Sequence, residues 1–83
     1  MKVKYFAWMK RTVGVAEEEV TLPADVCTVG DLVAWLRNRS GGHAEALAPG
    51  AAFGAAVDRR TAPFDTKLAG AAEVAFFPPF TGG

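Results

Sequence analysis

Apolar and polar residues alternate from the start of the chain. In "KVKYFAWMK", Val3, Tyr5, Ala7 and Met9 fall on one face and Lys2, Lys4, Phe6, Trp8 and Lys10 on the other, the period-two pattern of a strand. "RTVGVAE", with Gly14, reads as a turn, and "EEEVTLP" as a second strand that sets Val20 and Leu22 against Glu19 and Thr21 and stops at Pro23. The short spacing predicts a hairpin. The period then changes. In "CTVGDLVAWLRNRSGG", Val29, Leu32, Val33 and Leu36 recur at helical intervals and form one apolar stripe, flanked by Trp35. Thr28 is the candidate N-cap, with Asp31 three residues on in place of the usual Glu or Gln of a capping box. Arg37 and Arg39 suit the carbonyl end, and Gly41 or Gly42 a left-handed stop. Gly30 weakens the first turn by about 1 kcal/mol relative to Ala, so packing must hold this helix.

Further on, "AEALAPG" suggests one helical turn before Pro49, "AAFGAAVD" a third strand and "RRTAPF" a short fourth. "FDTKLAGAA" reads as a connection, and "EVAFF" as the last strand, closed by Pro78 and Pro79. Asp58 and Asp65 lie in turn-like contexts that suit capping of backbone amides. A helix with one apolar stripe must lie on one face of a sheet. The expected class is therefore α+β: a mixed sheet with one main helix packed on one face. Val3, Tyr5, Ala7, Val74 and Phe76 would face the helix; Phe6, Trp8, Ala75 and Phe77 would face away.

Composition narrows the function. The chain has 83 residues, 51% of them hydrophobic, which fits one domain with a modest core. A domain of this size buries roughly 60% of its unfolded surface and has little room for an enclosed active site. Chemistry is expected at a surface or in a site shared with a partner. Nine basic and nine acidic residues balance, and neither half is strongly basic, which argues against nucleic acid as a partner. The Arg37/Arg39 and Arg59/Arg60 pairs read as solvated surface, and Glu17, Glu18 and Glu19 as a solvated strand edge. Cys27 is the only cysteine, so an internal disulfide or a cysteine zinc set is excluded; it reads as a small half-buried residue. His43, in "SGGHAE", reads as an exposed loop residue without partners. Met1 is followed by Lys-Val-Lys-Tyr rather than a signal sequence, and no apolar run approaches the roughly 20 residues of a membrane span. A cytoplasmic protein with no membrane partner is expected. No phosphate loop, metal set or nucleophile–base pair is visible.

The unusual chemistry is at the end, "FFPPFTGG". Pro78 and Pro79 cannot donate ladder hydrogen bonds and favour an extended segment. Gly82 and Gly83 carry no Cβ, so backbone alone can enter a narrow channel. Six residues from Pro78 span at most about 20 Å. The expected division is a domain over residues 1–77 and a projecting tail over 78–83. If the first and last strands are neighbours, Phe6 and Phe77 form one exposed apolar patch, the usual mark of a partner surface, with Trp8 at its edge and Lys10, Arg11, Arg59 and Arg60 as a charged rim.

The strand and helix order, "KVKYFA" at the start, "AAVD…FD..L..G.EV" in between and "EVAFFPPFTGG" at the end resemble the MoaD family, the small subunits of molybdopterin synthase. These are ubiquitin-like β-grasp sulfur carriers. The resemblance covers essentially the whole chain and is strongest from Glu73 to Gly83. It implies a carrier that is not catalytic alone. An adenylyltransferase related to ubiquitin E1 (MoeB-like) would use ATP to adenylate the Gly83 carboxylate, and a sulfur donor protein would then complete its conversion to a thiocarboxylate. The thiocarboxylate would supply sulfur to a pterin precursor in the large (MoaE-like) subunit, forming the molybdopterin dithiolene. Gly82 and Thr81 would thread the channel, and Phe6, Phe77, Pro78, Pro79 and Phe80 would meet the partner, Phe80 at the channel mouth. The chain itself would bind no cofactor and no metal. Two other readings stay open: a related carrier or modifier serving thiamine synthesis, tRNA thiolation or lysine conjugation, and a plain β-grasp interaction module without acyl chemistry.

Overall fold

The computed structural model describes residues 1–79. The element order is β1 (Lys2–Tyr5), α1 (Trp8–Val13), β2 (Glu17–Glu19), α2 (Val29–Leu36), α3 (Gly41–Ala46), β3 (Gly54–Val57), β4 (Arg60–Ala62) and β5 (Glu73–Phe77). The five strands form one mixed sheet in the order β2-β1-β5-β3-β4. β1 and β5 run parallel at its centre, with Val3 opposite Val74 and Tyr5 opposite Phe76; the remaining pairings are antiparallel. This is the expected α+β class, a mixed sheet with the helices packed against its core face.

The expected stripe builds the core. Val29, Leu32, Val33 and Leu36 of α2 are buried, together with Val3, Tyr5, Val74 and Phe76 from the central strands. Along β5, Val74 and Phe76 are fully buried and Phe77 is half-buried, but Ala75, expected to face away, is buried as well at 7%. Thr28 caps α2 as read: its Oγ1 accepts from the Asp31 amide at 3.1 Å, while the Asp31 carboxylate accepts from the Cys27 and Thr28 amides at 3.0 and 3.1 Å. Those two backbone hydrogen bonds hold the Asp31 carboxyl below its ordinary range. The next two orphan amides of the helix, on Val29 and Gly30, donate to the carbonyls of Thr66 and Phe64, so the connection before β5 completes the cap. Asp58 also meets its expectation, its carboxylate accepting from the Ala72 and Glu73 amides at 2.9 and 3.0 Å.

Several expectations are corrected. The first strand stops at Tyr5, and residues read as strand and turn form α1 instead. Ala7 takes φ 55° and turns the chain, after which Trp8 packs against the core and Met9 is buried within it. Gly41 and Gly42 do not stop α2; Ser40 caps a new helix there, accepting from the His43 amide at 3.1 Å. Gly42 belongs inside that helix because it crosses α1 closely: a Cβ would strike the Thr12 carbonyl and stand 3.1 Å from the Val13 carbonyl. Cys27 is exposed rather than half-buried.

His43 and Glu18 depart furthest from their readings. His43 is 7% exposed, and its Nε2 lies 2.6 Å from Glu18 Oε2. Its Nδ1 lies 2.7 Å from the Ser40 hydroxyl. Tyr5 Oη donates to the same Glu18 oxygen at 2.7 Å, and Arg39 approaches the other at 3.4 Å while lying over the Trp35 ring. Glu18 is therefore not a solvated edge residue but the polar junction of β1, β2 and α3. Nor are Arg37 and Arg39 merely solvated, since Arg37 Nε donates to the Leu47 carbonyl. Burial opposes the charged form of Glu18, but the hydrogen bonds from His43 and Tyr5, with the charges of His43 and Arg39, outweigh it and lower the carboxyl below its ordinary 4.5. Burial and donation to that carboxylate push the Tyr5 phenol well above its ordinary 10.0.

Two outcomes are expected. Gly42→Ala should lower stability by about 1–3 kcal/mol, because the obstacle is backbone that cannot turn aside; chemical denaturation measures it. The Glu18 contribution is present above pH 4.5 and lost as pH falls through its lower folded value, and the Tyr5 contribution is present below pH 10.0 and lost as pH rises beyond it. Denaturation across a pH series should show Glu18→Gln flattening the acid limb and Tyr5→Phe the alkaline limb.

Candidate functional site

The parallel pairing of β1 and β5 sends both strands out at the same edge of the sheet. The ladder runs one step past β1, with the Phe6 amide donating to the Phe76 carbonyl at 3.1 Å. Phe6 and Phe77 thus emerge side by side on the face away from α2, as the alternation required. Phe6 is 48% exposed, the largest exposure among the big apolar side chains described.

The two rings border an open groove of about 590 Å³, lined by Phe6, Ala7, Thr61, Phe77, Pro78 and Pro79. None of these side chains is charged, and Thr61 supplies the one hydroxyl. Of the residues expected to meet a partner, the structure brings together Phe6, Phe77, Pro78 and Pro79. Phe80, Thr81, Gly82 and Gly83 lie outside the described residues. Trp8 is not at the groove, because α1 turns it onto the core. A second hollow shares Phe6 and Ala7 and is bounded by Lys4, Lys10 and Glu17, so charge begins where the aromatic ridge ends. Lys10 of the expected rim is placed there; Arg59 and Arg60 lie exposed on the β3–β4 hairpin beside Thr61.

Sequence reading missed Thr61 and Ala7. Thr61 reaches the groove only because β4 is the outer neighbour of β3, which the alternation of so short a strand does not reveal. Ala7 was assigned to the core face, and only its backbone explains its place. At φ 55°, ψ −132° it occupies a region that favours glycine, immediately beside Phe6. Among the described residues, no three His, Cys, Asp or Glu side chains are grouped so as to hold a metal ion, and no helix is long and apolar enough to cross a membrane.

The architecture defines a ubiquitin-like β-grasp domain with an apolar groove at the root of its C-terminal segment. The model of the ThiS family matches residues 3–83. The molybdopterin synthase sulfur carrier subunit of Escherichia coli is 41% identical over 83 residues, covering 100% of this chain and 99% of that protein. A solved Pyrococcus furiosus structure, described as a molybdopterin converting factor, subunit 1, superimposes with a TM-score of 0.75 at 32% identity, over 95% of each chain. The small archaeal modifier protein 1 of H. volcanii gives 0.71 at 26% identity, over 96% of this chain and 97% of that one. The chain belongs to the ThiS family and has the ubiquitin-like fold.

Replacing Ala7 by Gly should relieve the backbone strain and raise stability by about 1 kcal/mol, the relief exceeding the greater chain entropy of glycine. Thermal and chemical denaturation measure the change; a loss of stability would contradict a strained Ala7.

Proposed function

We propose that this chain is the sulfur-donating small subunit of a molybdopterin synthase. The observation that carries the reading is the full-length likeness to the Escherichia coli sulfur carrier subunit. The groove supports it, because an apolar surface at the root of the tail is what a carrier needs to dock while its end enters another protein.

A carboxylate is a poor electrophile. In the proposed cycle an E1-like, MoeB-like enzyme directs a Gly83 carboxylate oxygen onto the α-phosphorus of ATP, and pyrophosphate leaves. Hydrosulfide released by a donor protein then attacks the acyl carbon, the acyl–phosphate bond breaks, AMP leaves, and a thiocarboxylate forms. The charged carrier docks on the MoaE-like large subunit through Phe6, Phe77, Pro78 and Pro79. Phe80 and Thr81 follow into the channel, and Gly82 and Gly83 carry the sulfur to a pterin precursor, where the dithiolene is built. ATP belongs to the activating enzyme, and this chain holds neither cofactor nor metal. Every step takes place among cytoplasmic partners.

A second reading is favoured by the likeness to the small archaeal modifier protein 1. It keeps the activated end and changes the destination to acceptor lysines. Affinity capture from the native host separates the two: a large synthase subunit supports the first, and a series of lysine conjugates without that subunit supports the second.

Two variants test the main proposal. Phe6→Ala should fold normally, since its ring is half-exposed, and should bind the large subunit roughly tenfold or more weakly in calorimetric titration. Deleting Gly83 should leave folding and docking intact and abolish molybdopterin formation in a reconstituted synthase; an active deletion would overturn the role of the tail.

A further inference from the structure

Gly54 opens β3 directly opposite Phe77 in the antiparallel register with β5. Its neighbour Ala55 turns into the core and is 1% exposed, so position 54 belongs to the open face that carries the groove. A Cβ at Gly54 would stand 2.8 Å from Phe77 Cε1, 3.1 Å from Cζ and 3.5 Å from Cδ1. The far edge of the ring therefore reclines across the strand into the space that a methyl group would fill. The same ring borders the groove with Phe6, Pro78 and Pro79.

The nature of the obstacle decides what a substitution does. At Gly42 a methyl meets backbone, and the helix crossing itself must yield. At Gly54 it meets the far end of one side chain rather than backbone. The ring that would be displaced is the one that borders the groove.

We infer that Gly54 is a positioning residue for the docking surface: by lacking a Cβ it lets Phe77 lie down across β3, and this keeps the groove open to an apolar side chain of the partner. The inference rests on the groove being the surface that docks on the large subunit. It predicts a division that a purely structural glycine would not show, with the fold indifferent to a methyl group at position 54 and the docking sensitive to it.

The test uses the 83-residue chain and the purified large subunit of molybdopterin synthase, with Gly54→Ala, Phe77→Leu, the double variant and Phe6→Ala measured together. Gly54→Ala should keep the circular dichroism spectrum and unfolding midpoint of the parent, shift the Phe77 ring resonances, and weaken binding roughly tenfold. In the Phe77→Leu background the same substitution should cost no further affinity, because the ring it displaces is gone. Unaltered binding by Gly54→Ala alongside weakened binding by Phe6→Ala overturns the inference and leaves the docking reading standing. Unaltered binding by both removes the docking reading. An unfolded Gly54→Ala chain, or an undiminished cost in the Phe77→Leu background, assigns Gly54 to the fold and overturns the inference.

Discussion

The parallel pairing of β1 with β5 is the constraint on which the rest of the structure depends. These two strands are the centre of the sheet; β2 pairs with β1, and β3 with β5. On the helical face the pairing stacks Tyr5 against Phe76, with ring centroids 6.2 Å apart, and joins Val3 to Val74. On the open face it sets Phe6 beside Phe77. Because the strands are parallel, both leave the sheet at one edge, so the turn at Ala7 and the prolines after β5 share a border. An antiparallel pairing would have carried Phe6 to the opposite end from the tail.

The two faces of this pair have different physical tasks. The helical face is closed by burial of apolar area, the dominant stabilising contribution, and finished by the polar junction at Glu18. That junction matters because its members are partly withdrawn from water and satisfy one another; surface pairs such as Lys2–Glu17, whose side chains are 41% and 53% exposed, contribute little. The open face leaves apolar area uncovered and holds a backbone at Ala7 that its side chain disfavours. A domain optimised only to fold would bury Phe6 and place glycine at position 7. Both departures occur at the same edge, where the proposed carrier must meet its partners.

Much of this was legible in the chain itself. Four apolar positions at helical spacing, behind a threonine and an aspartate, are enough to place α2 and its cap, because capping and amphipathicity act over a few residues. Alternation in "EVAFF" ended by two prolines likewise places β5 and divides Phe76 from Phe77. The patch of Phe6 and Phe77 followed from adding one topological expectation, adjacent first and last strands. What was illegible depends on contacts distant in sequence or on backbone angles. Trp8, Met9 and Val13 suit a strand as well as a helix, and the turn that decides between them lies at an alanine with positive φ, where no glycine announces it. His43 looked solitary because Glu18 is 25 residues away and comes near only when α3 packs beside β1 and β2. Ser40 was overlooked as a cap because the two glycines after it also suit a helix end. Thr61 required knowing that β4 lies outside β3.

In the proposed cycle the Gly83 carboxylate is activated and loaded with sulfur by other proteins. Intact-mass measurement tests it most directly, on the chain incubated with ATP, a sulfur source and its cognate activating enzyme. The expected result is a gain equal to replacing one oxygen by sulfur, located by fragmentation at Gly83 and absent when ATP is withheld. An unchanged mass under conditions in which the activating enzyme is competent would contradict it.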